Sequence, residues 1–342
     1  MSERNELIQS FIRDNGWQDA MQEPLASDCS NRSYIRLTQG PGNASAMVMD
    51  APPSKGEDTR PFVKIAHHLL AQGLSAPRIF AKDEANGFLL IEDLGHDLYL
   101  PLVEQKPALE DPLYIAATDV LIALHKAPVP VNVPSYGAAT MIKTAQLGLD
   151  WYLAGASEAP TQTQKDDLAG ALADAFAALD PWEDVLVLRD YHAENLLWLP
   201  DRSGPAKVGL LDFQDAATGH PAYDLMSLGR DVRRDVTPDV TTHMLEHYAQ
   251  RTGLDLAALT RAAATVSAQR NLRVLGVFAR MSMHFARPAY VELLPRTWAN
   301  LMIDLAHPDL APLKDTVTEI FPAPTKPTLE KLIAKCGTIP TL

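Results

Sequence analysis

Cysteine is almost missing from this 342-residue chain: Cys29 and Cys336 are the only two. No disulfide framework holds such a fold. Long apolar runs are missing too, and none reaches the length of a bilayer span, so no membrane role is expected. The first ten residues, MSERNELIQS, lack the apolar core of a signal peptide. Together these absences point to the cytoplasm. Positive charge is in deficit, with 30 Lys and Arg against 43 Asp and Glu and a net charge of -13. Such a chain gains nothing from the phosphate attraction that drives nucleic-acid binding, so no nucleic-acid partner is expected. Acidity of this size keeps a protein soluble and would favour a cationic small molecule. Internal repeats and low-complexity tracts are also absent. What remains is ordinary globular composition, 46% hydrophobic and 21% charged, with length enough for two lobes.

The hydrophobic pattern divides the chain. Leu7, Ile8, Phe11 and Ile12 recur at helical spacing over 3–15, between a possible cap at Ser2 and a stop at Gly16. Short β-like runs follow at 34–37 and 46–49. A helix starts near Pro61, presents Phe62, Ile65 and Leu69 on one face, and ends at Gly73. Residues 78–82 and 88–92 read as strands around an Asn86-Gly87 hairpin turn. Beyond Gly95 helices dominate, at 112–126, 163–179, 238–252 and 256–285. Three short apolar runs interrupt them, at 185–188, 196–199 and 208–211. These patterns predict an N-terminal lobe over 1–94, a small antiparallel sheet with one main helix. A larger, mainly helical lobe is expected over 95–306, and a Pro-rich appended tail over 307–342.

The richest chemistry lies in Leu186-Val-Leu-Arg-Asp-Tyr-His-Ala-Glu-Asn-Leu-Leu-Trp198, a polar loop between two apolar strands. Asp190 and Asn195 stand five apart inside it. Asp212 follows at the end of a third apolar run. Phosphoryl transfer needs residues of these types: a carboxylate to aim and deprotonate a hydroxyl, and hard oxygen ligands for Mg²⁺ on the phosphates. Asp190 suits the first task, and Asn195 with Asp212 the second.

The pattern Asp-x-x-x-x-Asn followed by Asp-Phe resembles the catalytic loop and metal motif of kinases. The short form, with His220-Pro-Ala-Tyr-Asp-Leu225 close behind, is similar to the aminoglycoside phosphotransferase and choline kinase-like family. Met49-Asp-Ala-Pro-Pro53, Leu211-Asp-Phe-Gln-Asp-Ala216 and Gln269-Arg-Asn-Leu-Arg-Val-Leu-Gly276 resemble one branch of it. That branch comprises bacterial kinases of the anomeric hydroxyl of N-acetylmuramate and N-acetylglucosamine. The resemblance covers roughly residues 5 to 310. It implies an α+β, two-lobed protein-kinase-like fold and an ATP- and Mg²⁺-dependent enzyme acting on a hydroxyl of a small molecule, best matched by an amino sugar. Aminoglycosides or other small alcohols are alternative acceptors. A nucleotide-binding pseudokinase is the alternative from another class.

The resemblance also implies roles. Phe88-Leu-Leu-Ile-Glu-Asp-Leu-Gly95 is similar to the strand and hinge that hold adenine, through the backbone of Glu92 and Leu94. Ser27-Asp-Cys-Ser-Asn-Arg-Ser-Tyr34 stands where a loop covers the phosphates, which nominates Ser30, Asn31 and Arg32. Asp224 would brace the catalytic loop. The usual strand-three lysine is missing, and Met49 stands about where it would be. Arg32 or Arg36 is expected to replace it, ahead of Lys55 or Lys64.

Several residues carry two readings. Asp215 serves a substrate amine or second metal, or is a turn residue. Trp151 stacks a sugar ring, or anchors a helix packing. Arg270 and Arg273, with Arg280 on roughly the same helical face, form an anion pocket or pair with nearby acids. The side chains of Glu92 and Asp93 are expected to be ordinary surface acids.

Overall fold

The computed structural model describes residues 3–25 and 31–340. In chain order the main elements are α1 (Glu3–Asp14), β1 (Met21–Pro24), β2 (Ser33–Thr38), β3 (Ala46–Asp50), α2 (Arg60–Ala71), β4 (Ile79–Asp83), β5 (Phe88–Glu92), α3 (Tyr99–Gln105) and α4 (Glu110–His125). Then come α5 (Ala138–Ala145), α6 (Ala154–Ala156), α7 (Gln162–Ala177), β6 (Val185–Val187), β7 (Leu196–Trp198), β8 (Val208–Leu210) and β9 (Ala217–Gly219). Helices α8 (Ala222–Gly229), α9 (Pro238–Thr252), α10 (Leu256–Met283), α11 (Leu294–Asp304), α12 (Ala311–Ile320) and α13 (Lys326–Ala334) complete the chain.

The chain forms two compact units: residues 1–127 with 193–216, and residues 128–192 with 217–342. A division at residue 94 therefore misses how the chain is shared. Helices α3 and α4 stay with the N-terminal sheet, and so does the β7–β8 hairpin from much later in the sequence.

The first unit is built on a five-stranded antiparallel sheet of order β1-β2-β3-β5-β4. Side chains alternate across a strand, so each strand serves two faces. Leu37, Val48 and Leu90 fall on one face and pack with Ile8, Phe11 and Ile12 of α1. Arg36, Met47 and Ile91 are paired in register and fall on the other. Gly87 has φ 74° and closes the hairpin between β4 and β5, as its pairing with Asn86 predicts. The hairpin β7–β8 is antiparallel, with Leu196 opposite Leu210.

The second unit is helical around α10, which is buried along most of its length. Asp255 caps that helix by accepting the Ala258 N–H at 2.8 Å. Thr161 and Gln164 form a capping box at the start of α7. The expected tail is not an appendage. Leu313 and Val317 of α12 and Leu332 of α13 are buried in the same core as Leu272 and Leu275 of α10. Tyr152 donates its hydroxyl to the Pro322 carbonyl at 2.7 Å. Prolines start these helices at their first turn, where a missing N–H is harmless, so a Pro-rich sequence here encodes helix starts.

Candidate active site

Within the first unit, the sheet face carrying Arg36, Met47 and Ile91 opens on a cavity of about 630 Å³. Its walls are apolar, with Tyr34, Phe62, Leu94, Leu197 and Leu211 among them, and Glu92 to His96 form one rim. Phe62 of α2 stacks on Phe213 at 4.8 Å between ring centroids, so the motif aromatic is anchored inside the unit. Asn195, Asp212 and Asp215 give the cavity a polar end.

That polar end is set by the β7–β8 hairpin. Leu211 donates its N–H to the Asn195 carbonyl at 3.0 Å, which brings the backbone of Asn195 and the 211–212 segment side by side. Asp212 then turns out of the strand with φ 55°, a left-handed conformation that Asp tolerates better than most residues. Its carboxylate is 47% exposed and accepts the Gln214 amide at 2.8 Å. A strained residue at the mouth of a cavity is the kind of position that function retains.

The rim residues differ from surface acids. The Glu92 carboxylate takes Arg202 at 2.7 Å and Arg78 at 3.1 Å. Although half-burial works against its charge, these arginines hold its pKa below the ordinary value. Asp93 accepts one hydrogen bond from Arg36 at 3.1 Å and lies 3.0 Å from its Nε as an ion pair, and Arg36 also reaches the Gly95 carbonyl and the His96 ring. Arg36 thus fastens the rim. Arg32 takes a different position: Glu57 anchors it at 2.9 Å, and a second nitrogen lies 3.8 Å from Asp212. Burial opposes its charge, but Glu57, Tyr34 and Asp212 raise its pKa, so it stays a cation. Glu57 also accepts the Asn31 N–H at 3.3 Å, and its role has no sequence signal beyond a charged loop after Gly56. Met47 lines the cavity and Met49 is buried on strand β3. Ser30 lies outside the described residues.

Asp190 belongs to the second unit. The strand before it, β6, pairs with β9, and the loop then leaves the sheet through Arg189, which has φ 73°. Arginine has no special tolerance for this region, so neighbours must impose it. They are on α8: Asp224 accepts the Leu188 N–H at 2.5 Å and the Arg189 N–H at 2.9 Å, and the Ser227 hydroxyl reaches the Arg189 carbonyl at 3.3 Å. Arg189 also lies over the Tyr136 ring at 4.6 Å. Burial pushes the Asp224 carboxyl up to about 7, against the two amides that favour its charged form. His192 is buried, and burial together with Arg233 and Arg270 keeps its pKa well below the ordinary value. It is held neutral, as a packed partner of the loop.

Trp151 is 5% exposed inside the core of the second unit, with His284 tilted against it. Little of its ring is open, which fits anchoring of a helix packing. Arg270 and Arg273 lie on the inward side of α10.

Residues 22–264 match the model of the phosphotransferase enzyme family. This chain belongs to that family. Two relatives called N-acetylmuramate/N-acetylglucosamine kinase agree with it along nearly their whole length. The protein of Caulobacter vibrioides is 38% identical over 95% of this chain and 99% of its own. That of Pseudomonas aeruginosa is 37% identical over 92% of this chain and 93% of its own. Among solved structures, a choline/ethanolamine kinase family protein from Mesorhizobium loti superimposes with a TM-score of 0.63 at 14% identity, covering 92% of this chain and 99% of that one. The ADP-bound aminoglycoside phosphotransferase APH(2'')-Ib gives 0.61 at 14%, covering 88% and 99%. The phosphotransferase therefore has the α+β protein-kinase-like fold, and is a kinase acting on a hydroxyl. Among the described residues no helix is long and apolar enough to cross a membrane.

Proposed function

We propose that this phosphotransferase uses ATP to phosphorylate the anomeric hydroxyl of an N-acetylated amino sugar, N-acetylmuramate or N-acetylglucosamine. The agreement with kinases of that name over more than nine-tenths of this chain and theirs carries the reading. The cavity of the first unit suits adenine: apolar walls for the ring and the backbone of Glu92 and Leu94 at the rim for its polar edge. Asn195 and Asp212 offer an amide oxygen and a carboxylate at the polar end, a donor set that fits Mg²⁺, which prefers hard oxygens and keeps water or phosphate in its other positions. When bound, Mg²⁺ would neutralise charge on the β- and γ-phosphates. Arg32, held toward Asp212 by Glu57, supplies the phosphate-facing cation that the missing lysine would have given. Asp215 lines the same polar end.

Asp190 positions the acceptor hydroxyl and takes its proton. The transition state of phosphoryl transfer is loose, so aiming the oxygen matters more than base strength. The braces on Leu188 and Arg189 serve that aim. The test is ADP release by the purified protein with a panel of neutral and acidic amino sugars, aminoglycosides, choline and ethanolamine, followed by locating the phosphate by NMR. Turnover confined to the N-acetylated sugars, with an anomeric phosphate, is expected. Turnover of aminoglycosides or choline alone would replace this reading.

A further inference from the structure

A positive cluster on α10, with Arg270 buried and Arg273 and Arg280 partly so, has no part in the reaction proposed above. Arg270 is 5% exposed, and its Nε and Nη1 are buried and donate to no acceptor among the described residues. Arg280 has its Nε in the same condition. Arg270, Arg273 and Arg280 share one face of the helix by their spacing. No carboxylate among the described residues lies within 4 Å of any of the three. A buried guanidinium with unmet donors is a costly arrangement, and a fold retains it where an anion is to be received. The cluster repels itself as well: burial and the charge of Arg273 lower the pKa of Arg280. Burial works against the Arg273 charge too, yet Tyr223, Tyr136 and Asp190 raise its pKa, so it remains a cation within electrostatic reach of Asp190. Asp224 is within reach of Arg270 and is already engaged by two backbone amides.

We infer that Arg270 and Arg273 form a carboxylate-binding subsite for the acceptor, and so make this enzyme prefer an acidic amino sugar over its neutral counterpart. The occupant is the lactyl carboxylate that distinguishes N-acetylmuramate from N-acetylglucosamine. A planar carboxylate matches the guanidinium fork and takes two donors at once. The subsite belongs to the same unit as Asp190. The inference rests on the amino-sugar reading above.

Calorimetric titration of N-acetylmuramate and N-acetylglucosamine into the whole protein tests it, with wild type, Arg270→Gln and Arg273→Gln, beside kcat/KM for both sugars. Wild type should prefer the acidic sugar. Each variant should lose at least about tenfold for that sugar, the scale of one charged hydrogen bond, and stay within about twofold for the neutral one. Arg270→Met should also raise the melting temperature without ligand, since an unmet buried charge has gone. Equal affinity of wild type for both sugars would overturn the subsite and leave the amino-sugar reading intact. So would an equal loss for both sugars in the variants, or a fall in melting temperature in Arg270→Met. Binding of neither sugar by the wild type would overturn both.

Discussion

Two titratable residues on one segment are shifted in opposite directions, and the order of the sequence explains both. The Nδ1 of His220 accepts the Ala222 N–H at 3.0 Å and fixes the first turn of α8, the helix that carries Asp224. Trp182 covers the imidazole with 4.5 Å between ring centroids, and burial pushes its pKa down to about 4. Asp224, one turn further on, is pushed up to about 7, mainly by burial. The signs differ accordingly. The folded state binds the His220 proton less tightly than the unfolded chain, whose histidine titrates near about 6.5. Its contribution to stability is complete above about 6.5 and is lost as pH falls toward about 4. For Asp224 the contribution is present below about 4 and lost as pH rises through about 7. The two oppose each other between about pH 4 and 6.5, so the wild-type profile alone isolates neither. His220→Asn keeps an acceptor for Ala222 and removes the titration. The stability difference, wild type minus His220→Asn, should grow on the order of 3 kcal/mol between pH 4 and 6.5, because Asp224 cancels in the comparison. Urea unfolding at a series of pH values measures it, and a difference that stays constant with pH would remove His220 from the account.

At the scale of elements, α10 is fixed by a glycine. A Cβ on Gly276 would stand 2.1 Å from the carbonyl carbon and oxygen of Leu147, backbone that cannot step aside. Gly148 meets the Leu272 carbonyl in the same way, at 2.7 Å. The segment containing Gly148 runs as a π-helical turn against α10, so both glycines are needed for close backbone approach. Gly276→Ala should therefore destabilise by about 3 kcal/mol through overpacking, although alanine improves helix propensity by about 1 kcal/mol elsewhere. A shift of the urea midpoint to lower concentration checks this, and a rise would show that the contact relaxes freely. Periodicity made α1 and α2 legible, because each buries a clear apolar face. It could not reveal β1, four exposed residues ending in Pro24, whose place comes from pairing with β2. Three-residue β9 was equally silent, since its pairing with β6 comes from elsewhere in the chain. In the proposed site, spacing nominated Asp190, Asn195 and Asp212. Glu57 and Arg202 were not, because their value lies in which arginine or glutamate they meet across the fold.

At the scale of the whole molecule, the residues proposed for the chemistry come from both units. The first holds the cavity, Arg32, Asn195 and Asp212; the second holds Asp190, its braces and the arginine cluster of α10. The chain leaves the second unit between His192 and Ala193, inside the loop whose spacing first pointed to function. Nucleotide and acceptor affinities should then respond to different substitutions. Asp190→Asn is the sharpest case. It keeps the shape of the side chain, leaves the Asp224 contacts with Leu188 and Arg189 in place, and removes the proton acceptor. Turnover should fall by roughly two orders of magnitude or more, the scale of losing a general base. The dissociation constant for ATP, measured by titration with Mg²⁺, should stay within about twofold, because every residue assigned to the nucleotide lies in the other unit. Full turnover in this variant would remove the base from the mechanism. Weakened ATP binding together with lost turnover would instead mean that Asp190 supports the metal or the loop, and its role in the proton transfer would pass to another group.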